Sequence, residues 1–211
     1  MSYTTFRTAC FLYFFDIFNQ DPRRYARPEW LQYPAFFGGM AAGILSNPFE
    51  IVFSRMQADP LYTVGRGYKS FYDGFLKTAE EGALFKGSIA NGLRITALLA
   101  SMTNIHDWMK ENSYYWLGPS ILNRLGATIV ATAVGTAVSM PFDNIRMRVY
   151  LSRPLPNGYV PYLNSLDATL KMIRFEARQS NNGNFQCFLS GYCTAFARYF
   201  SIFMISQFVL D

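Results

Sequence analysis

The chain has 211 residues, half of them apolar and 16% charged, with 20 Phe, 14 Tyr and a net charge of +5. Its Lys and Arg are scattered and no basic run exceeds Arg23-Arg24, which argues against nucleic acid as a partner and leaves anionic phospholipid or anionic solutes. A lone histidine, His106, excludes a multi-histidine metal site; Cys10, Cys187 and Cys193 read as buried free thiols; and no phosphate loop or nucleophile–histidine pairing offers an enzyme its chemistry.

In chain order, Tyr3 to Phe18 reads as an apolar helix with Arg7 near its start and Asp16 near its end, just long enough to cross a bilayer. Asp21 to Pro34, with three prolines and three arginines, is a polar connection in which Trp30 and Tyr33 suit a membrane interface. Ala35 to Met56 is the next helix; Gly39 and Gly43 allow another backbone to approach it closely, and Pro48 ends its apolar part. After a loop at Asp59 to Tyr68, Ser70 to Glu81 has an apolar and a charged face, as a surface helix does. Gly82 and Gly87 bracket a turn, and Ser88 to Lys110 is again an apolar helix, with Arg94 in its first third and Asp107 near its end. Gly118 and Pro119 break the chain before a long helix, Ile121 to Tyr150, in which Ala131 and Gly135 repeat the small-residue spacing. Tyr162 to Ala177 is a second amphipathic helix, and Phe188 to Leu210 a final apolar one bearing Arg198.

The segment Pro141 to Arg148 reads Pro-Phe-Asp-Asn-Ile-Arg-Met-Arg, and Pro48 to Arg55, 93 residues earlier, reads Pro-Phe-Glu-Ile-Val-Phe-Ser-Arg. Proline within a helix removes a backbone hydrogen bond and kinks it. The acid and the base then leave the turn in different directions and reach neighbouring helices. Recurrence at this interval signals an internal repeat. The expected fold is an all-α membrane protein of five transmembrane helices and two short surface helices, divided as 1–32 (an orphan span and its loop), 33–118 and 119–211. A mean hydropathy near zero is low for a chain embedded in lipid and keeps a soluble helical binding protein open.

The proline–acid–base segment, a surface helix, then Glu81-Gly82 closing on Phe85-Lys86-Gly87 resembles the mitochondrial carrier family. The third repeat is more degraded, with Glu176-Ala177 and with Ser190 before Gly191; Gly67-Tyr68-Lys69 and Phe53 in place of a base look most like the oxoglutarate/malate branch. The resemblance implies three repeats, six spans around a cavity, and a chain that begins at the second span.

It also implies roles. Arg94 and Arg198, each 13 residues before an acid (Asp107 and Asp211), fall at substrate-contacting positions, and Arg7 matches a cavity arginine of that branch. Three arginines around one cavity suit a dicarboxylate, which guanidinium binds in bidentate fashion; alternatively they pair with the chain's own acids. Glu50 with Arg55, and Asp143 with Arg146 or Arg148, would form two thirds of a matrix-side closing network. Asp16, Asp107, Lys110 and Asp211 would be the cytosolic-side one. With a helix short, the expected function is a structural or accessory subunit of a larger inner-membrane, respiratory-chain type complex, held by membrane-embedded partner subunits, and the alternative is a dicarboxylate or oxoacid exchanger. Met1 is expected on the matrix side and Asp211 on the intermembrane-space side. No cofactor is expected, apart from cardiolipin or another phospholipid at the Gly82–Gly87 turn.

Overall fold

The computed structural model describes residue 13 and residues 28–61, 67–117, 121–152, 161–176 and 188–209, which form helices and turns. Helix α1 is Pro28–Ala58, closing in a 3₁₀ turn at Asp59–Leu61; α2 is Phe71–Glu80, α3 Ser88–Leu117 and α4 Ile121–Leu151. A short α5, Ser165–Lys171, widens into a π turn at Met172–Glu176, and α6 is Tyr192–Val209. The first expected span lies outside the described residues except for Tyr13.

Three boundaries differ from expectation by four residues or more. Residues 28–34 are not a polar connection but the first turns of α1. Pro28 suits the first helical position because its missing N–H would have had no partner there. Helix α3 runs beyond Lys110 to Leu117. The final helix starts at Tyr192 rather than Phe188, because Gly191 takes a positive φ of 83° and the amide of Asn144 holds the Phe188 carbonyl at 2.6 Å, drawing residues 188–191 into a turn. Helices α1 and α4 continue through Pro48 and Pro141, leaving the carbonyls of Ile44 and Ala137 without their usual helical donor.

Helix α3 packs along both α1 and α4, and α6 lies on α4. Glycine makes the first of these contacts possible. A Cβ on Gly43 would stand 2.5 Å from the Cα of Gly92, and one on Gly39 would stand 2.9 Å from the Cα of Thr96. At this crossing Asn91 Nδ2 donates to the Gly43 carbonyl at 2.9 Å and Thr96 Oγ1 to that of Phe36 at 3.3 Å. Gly135 serves the other side of α3, where its added Cβ would meet the Met102 side chain at 2.6 Å.

Polarity is inverted relative to a water-soluble bundle. The buried face of α4 carries Thr128, Thr132, Thr136 and Ser139, while Ile129, Val130, Val134 and Val138 point outward. Thr128, Thr132 and Ser139 turn their hydroxyls back to carbonyls of their own helix, at 2.8, 2.7 and 3.0 Å. Helix α1 likewise buries Ser46, Asn47 and Glu50 and exposes Phe36, Phe37, Ile44 and Leu45. Water would penalise that arrangement and hydrocarbon rewards it. The soluble alternative is thereby disfavoured, and the near-zero mean hydropathy reflects polar residues turned inward. Helices α1 and α4 hold stretches long and apolar enough to cross a membrane. At 30 residues α3 is long enough but more polar, and the apolar part of α6, Tyr192–Ile205, is shorter. Cys193 is exposed at the start of α6, contrary to its expected burial, because it lies on the outward side of the first turn, away from the buried Ala195; Cys10 and Cys187 lie outside the described residues.

The two surface helices share one clamp, repeated 94 positions apart. Asp73 accepts from the backbone N–H of Lys69 (3.1 Å) and from Lys77 (2.9 Å), while Lys77 Nζ also donates to the Gly67 carbonyl (3.2 Å) over the ring of Tyr68. Asp167 accepts from the backbone N–H of Leu163 (3.2 Å) and from Lys171 (2.8 Å), while Lys171 Nζ reaches the Pro161 carbonyl (2.6 Å) over Tyr162. The lysine, then the backbone N–H, holds each carboxyl below the usual carboxylate range. Since the folded pKa is depressed, the stabilisation is present above the unfolded pKa and disappears as pH falls through the folded one. Acidification below about pH 4 is therefore expected to loosen α2 and α5 before the long helices, read as faster amide exchange at 71–80 and 165–171. Unchanged exchange at those segments would refute it.

Candidate functional site

The proline-bearing ends of α1 and α4 converge with the first third of α3 and the middle of α6, and there the interior charges meet. Glu50 on α1 accepts from Arg94 on α3, at 3.3 and 3.5 Å to its two oxygens, and from Arg146 on α4. Arg146 also donates to Asp143 at 2.7 Å, and Arg94 Nε lies 3.5 Å from the same carboxylate. Asn91, one turn before Arg94, offers its Oδ1 to both guanidinium groups at 3.1 Å. Glu50, Arg94 and Arg146 are buried and Asp143 nearly so. Two acids and two bases leave this cluster without net charge, which is what lets it sit away from water.

A second layer closes the site on the proline side. Arg146 stacks over the ring of Tyr150, 5.2 Å from its centroid, and the Tyr150 hydroxyl donates to Asn47 Oδ1 at 2.5 Å. Asn47 in turn donates to the carbonyls of Leu84 (2.7 Å) and Lys86 (3.4 Å) in the turn before α3. Asn144 does the same for Phe188 (2.6 Å) and Ser190 (3.4 Å) in the turn before α6. It stands one helical turn beyond the position matching Asn47. Gly82 and Gly87 have positive φ of 61° and 76°, as turn glycines do. Gly87 also leaves room for Tyr150, whose ring would be 3.1 Å from an added Cβ.

The expected pairings are partly redrawn. Arg55 was expected beside Glu50. It donates instead to Glu81 at 2.7 Å and to the Tyr150 carbonyl at 3.0 Å, because it lies more than a turn below Glu50 and faces the α2–α3 connection. The base that reaches Glu50 from α4 is Arg146. Arg148 is half-buried further along. Arg94, expected to contact substrate, is tied into the Glu50 cluster and also donates to the Tyr199 hydroxyl at 3.0 Å. Arg198 is exposed, donates to that same hydroxyl at 3.0 Å and stacks on the Tyr199 ring.

Arg7, Asp16 and Asp211 fall outside the described residues, as do the side chains of Asp107 and Lys110. Sequence reasoning missed Asn47, Asn91, Asn144, Tyr150 and Tyr199. Asn91 had a signal, its spacing of three from Arg94 on one helix face; Tyr199 had none among so many tyrosines.

The mitochondrial carrier protein family matches residues 34–114. The chain is 49% identical over 211 residues to the macronuclear solute carrier homolog CR-MSC of Oxytricha fallax, covering 99% of this chain and 57% of that protein. The Oxytricha trifallax counterpart is 48% identical over 213 residues, again 57% of its length. The mitochondrial 2-oxoglutarate/malate carrier protein of Mus musculus is 32% identical over 151 residues, 65% of this chain and 47% of that protein. The chain thus spans about half the length of these relatives. The glycine-mediated crossing, the inward charges and these likenesses agree: the chain belongs to the mitochondrial carrier family.

Proposed function

We propose that the chain carries a small organic dicarboxylate across the mitochondrial inner membrane, with Arg94 and Arg198 as its anion-binding residues. The observation that supports this most is the meeting of those two guanidinium groups, from α3 and α6, on one oxygen beside the Glu50 cluster. Two cations facing a single acceptor suit a carboxylate, which is bound more strongly by charge-assisted hydrogen bonds than by neutral ones. The likeness to the 2-oxoglutarate/malate carrier of mouse supplies the class of solute.

In this reading Glu50, Arg94, Asp143 and Arg146 form the network that closes the proline-bearing end, which faces the matrix with both surface helices. Binding of the anion competes for Arg94 and loosens that network. Arg7 would complete the anion site, and Asp16, Asp107, Lys110 and Asp211 the opposite network. Met1 would then lie on the matrix side, Asp211 on the intermembrane-space side, and an anionic phospholipid against the Gly82–Gly87 turn.

A second reading is a structural or accessory subunit of a larger inner-membrane complex. One observation favours it: Arg94 is already engaged by Glu50, Asn91 and Tyr199 of its own chain. Reconstitution separates the two. Purified chain in liposomes is expected to exchange labelled 2-oxoglutarate for malate, and Arg198→Gln to reduce the uptake by about tenfold or more. No uptake, with co-migration in a large complex on native gels, would replace the transport reading by the structural one.

A further inference from the structure

We infer that Tyr199 is itself a ligand of the bound anion, donating its hydroxyl proton to a carboxylate held at Arg198; this rests on the anion-site reading above. A phenol oxygen has two lone pairs and one proton. Arg94 Nη1 and Arg198 Nη2 each donate to that oxygen at 3.0 Å. With both lone pairs occupied, the proton is directed away from the two cations, and among the described residues no group accepts it. A buried tyrosine hydroxyl ordinarily finds an acceptor.

The ring is not free to seek one. It is buried in the cluster of Leu98, Met102, Met140 and Ala195, and the Arg198 guanidinium lies 4.7 Å from its centroid. Arg94 on one side is 3% exposed, and Arg198 on the other is open. The hydroxyl therefore stands where the accessible side of the site meets the buried ion pairs. A carboxylate arriving at Arg198 can accept from the guanidinium and from this hydroxyl together. The phenol adds a donor without adding charge, so it strengthens carboxylate binding while leaving the cluster's charge balance untouched.

The test titrates 2-oxoglutarate against the heat unfolding of the full chain purified in detergent. Wild type should be stabilised, and Tyr199→Phe should need about tenfold more 2-oxoglutarate for half of the same effect, as expected on losing one hydrogen bond to a charged acceptor. Equal half-saturation in wild type and Tyr199→Phe would overturn the role of Tyr199 while the anion site at Arg198 stands. Absence of stabilisation in wild type would overturn both. Should Tyr199→Phe fail to fold, 3-fluorotyrosine placed at position 199 gives a second reading. Its fluorine resonance should shift on saturation with 2-oxoglutarate, and a resonance that stays put while the protein is stabilised would refute the inference.

Discussion

Glu50→Gln is expected to lower the stability of the chain by about 3–5 kcal/mol, because it leaves two buried cations with a single carboxylate between them. Glu50 is the acid common to Arg94 and Arg146. Asp143 is left as the other carboxylate near both, and its contact with Arg94 is an ion pair at 3.5 Å rather than a well-formed hydrogen bond. The intact network has a modest net worth, since desolvating four charged groups offsets much of their attraction. Removing one member exposes that penalty. The double variant Glu50→Gln with Arg146→Gln should therefore melt higher than the sum of the two single losses implies. Heat unfolding in detergent reads all three. A Glu50→Gln protein melting at the wild-type temperature would mean that the cluster does not hold α1, α3 and α4 together.

The second large effect is expected at the helix crossing. Gly43→Ala should destabilise by about 3 kcal/mol, the upper end of the range for overpacking, because the obstacle is backbone. The added Cβ would be 2.5 Å from the Gly92 Cα and 2.8 Å from its nitrogen, and neither can turn aside. The helices must separate, which stretches the Asn91 bond to the Gly43 carbonyl and shifts Asn91 away from both arginines. Gly126→Ala on α4 is the control: nothing lies within 4 Å of its added Cβ, and better helix propensity should make it neutral or stabilising by up to about 1 kcal/mol. Equal melting temperatures for the two variants would rule out glycine at position 43 as the reason the helices approach so closely.

Among the described residues, the helical order, the two surface helices and the paired proline segments were legible in the sequence, because these depend on the period of apolar residues and on the chemistry of Pro, Gly and their neighbours. The sequence also determined which charged residues stand at the proline-bearing ends. Beyond Asp143 with Arg146 on one helix, it did not determine who pairs with whom. Glu50 and Arg55 are close in sequence, yet Arg55 serves Glu81 while Arg146, 96 residues from Glu50, takes its place. Partners of buried charges are chosen by the approach of different helices, and that approach depends on backbone contacts such as Gly43 with Gly92. The turn before α6 shows the same limit: Phe188 read as helix from its apolar run until a side chain from another helix captured its carbonyl. Tyr199 lies furthest from sequence reasoning, since only the docking of α3 and α6 turns an ordinary tyrosine into the oxygen shared by two arginines.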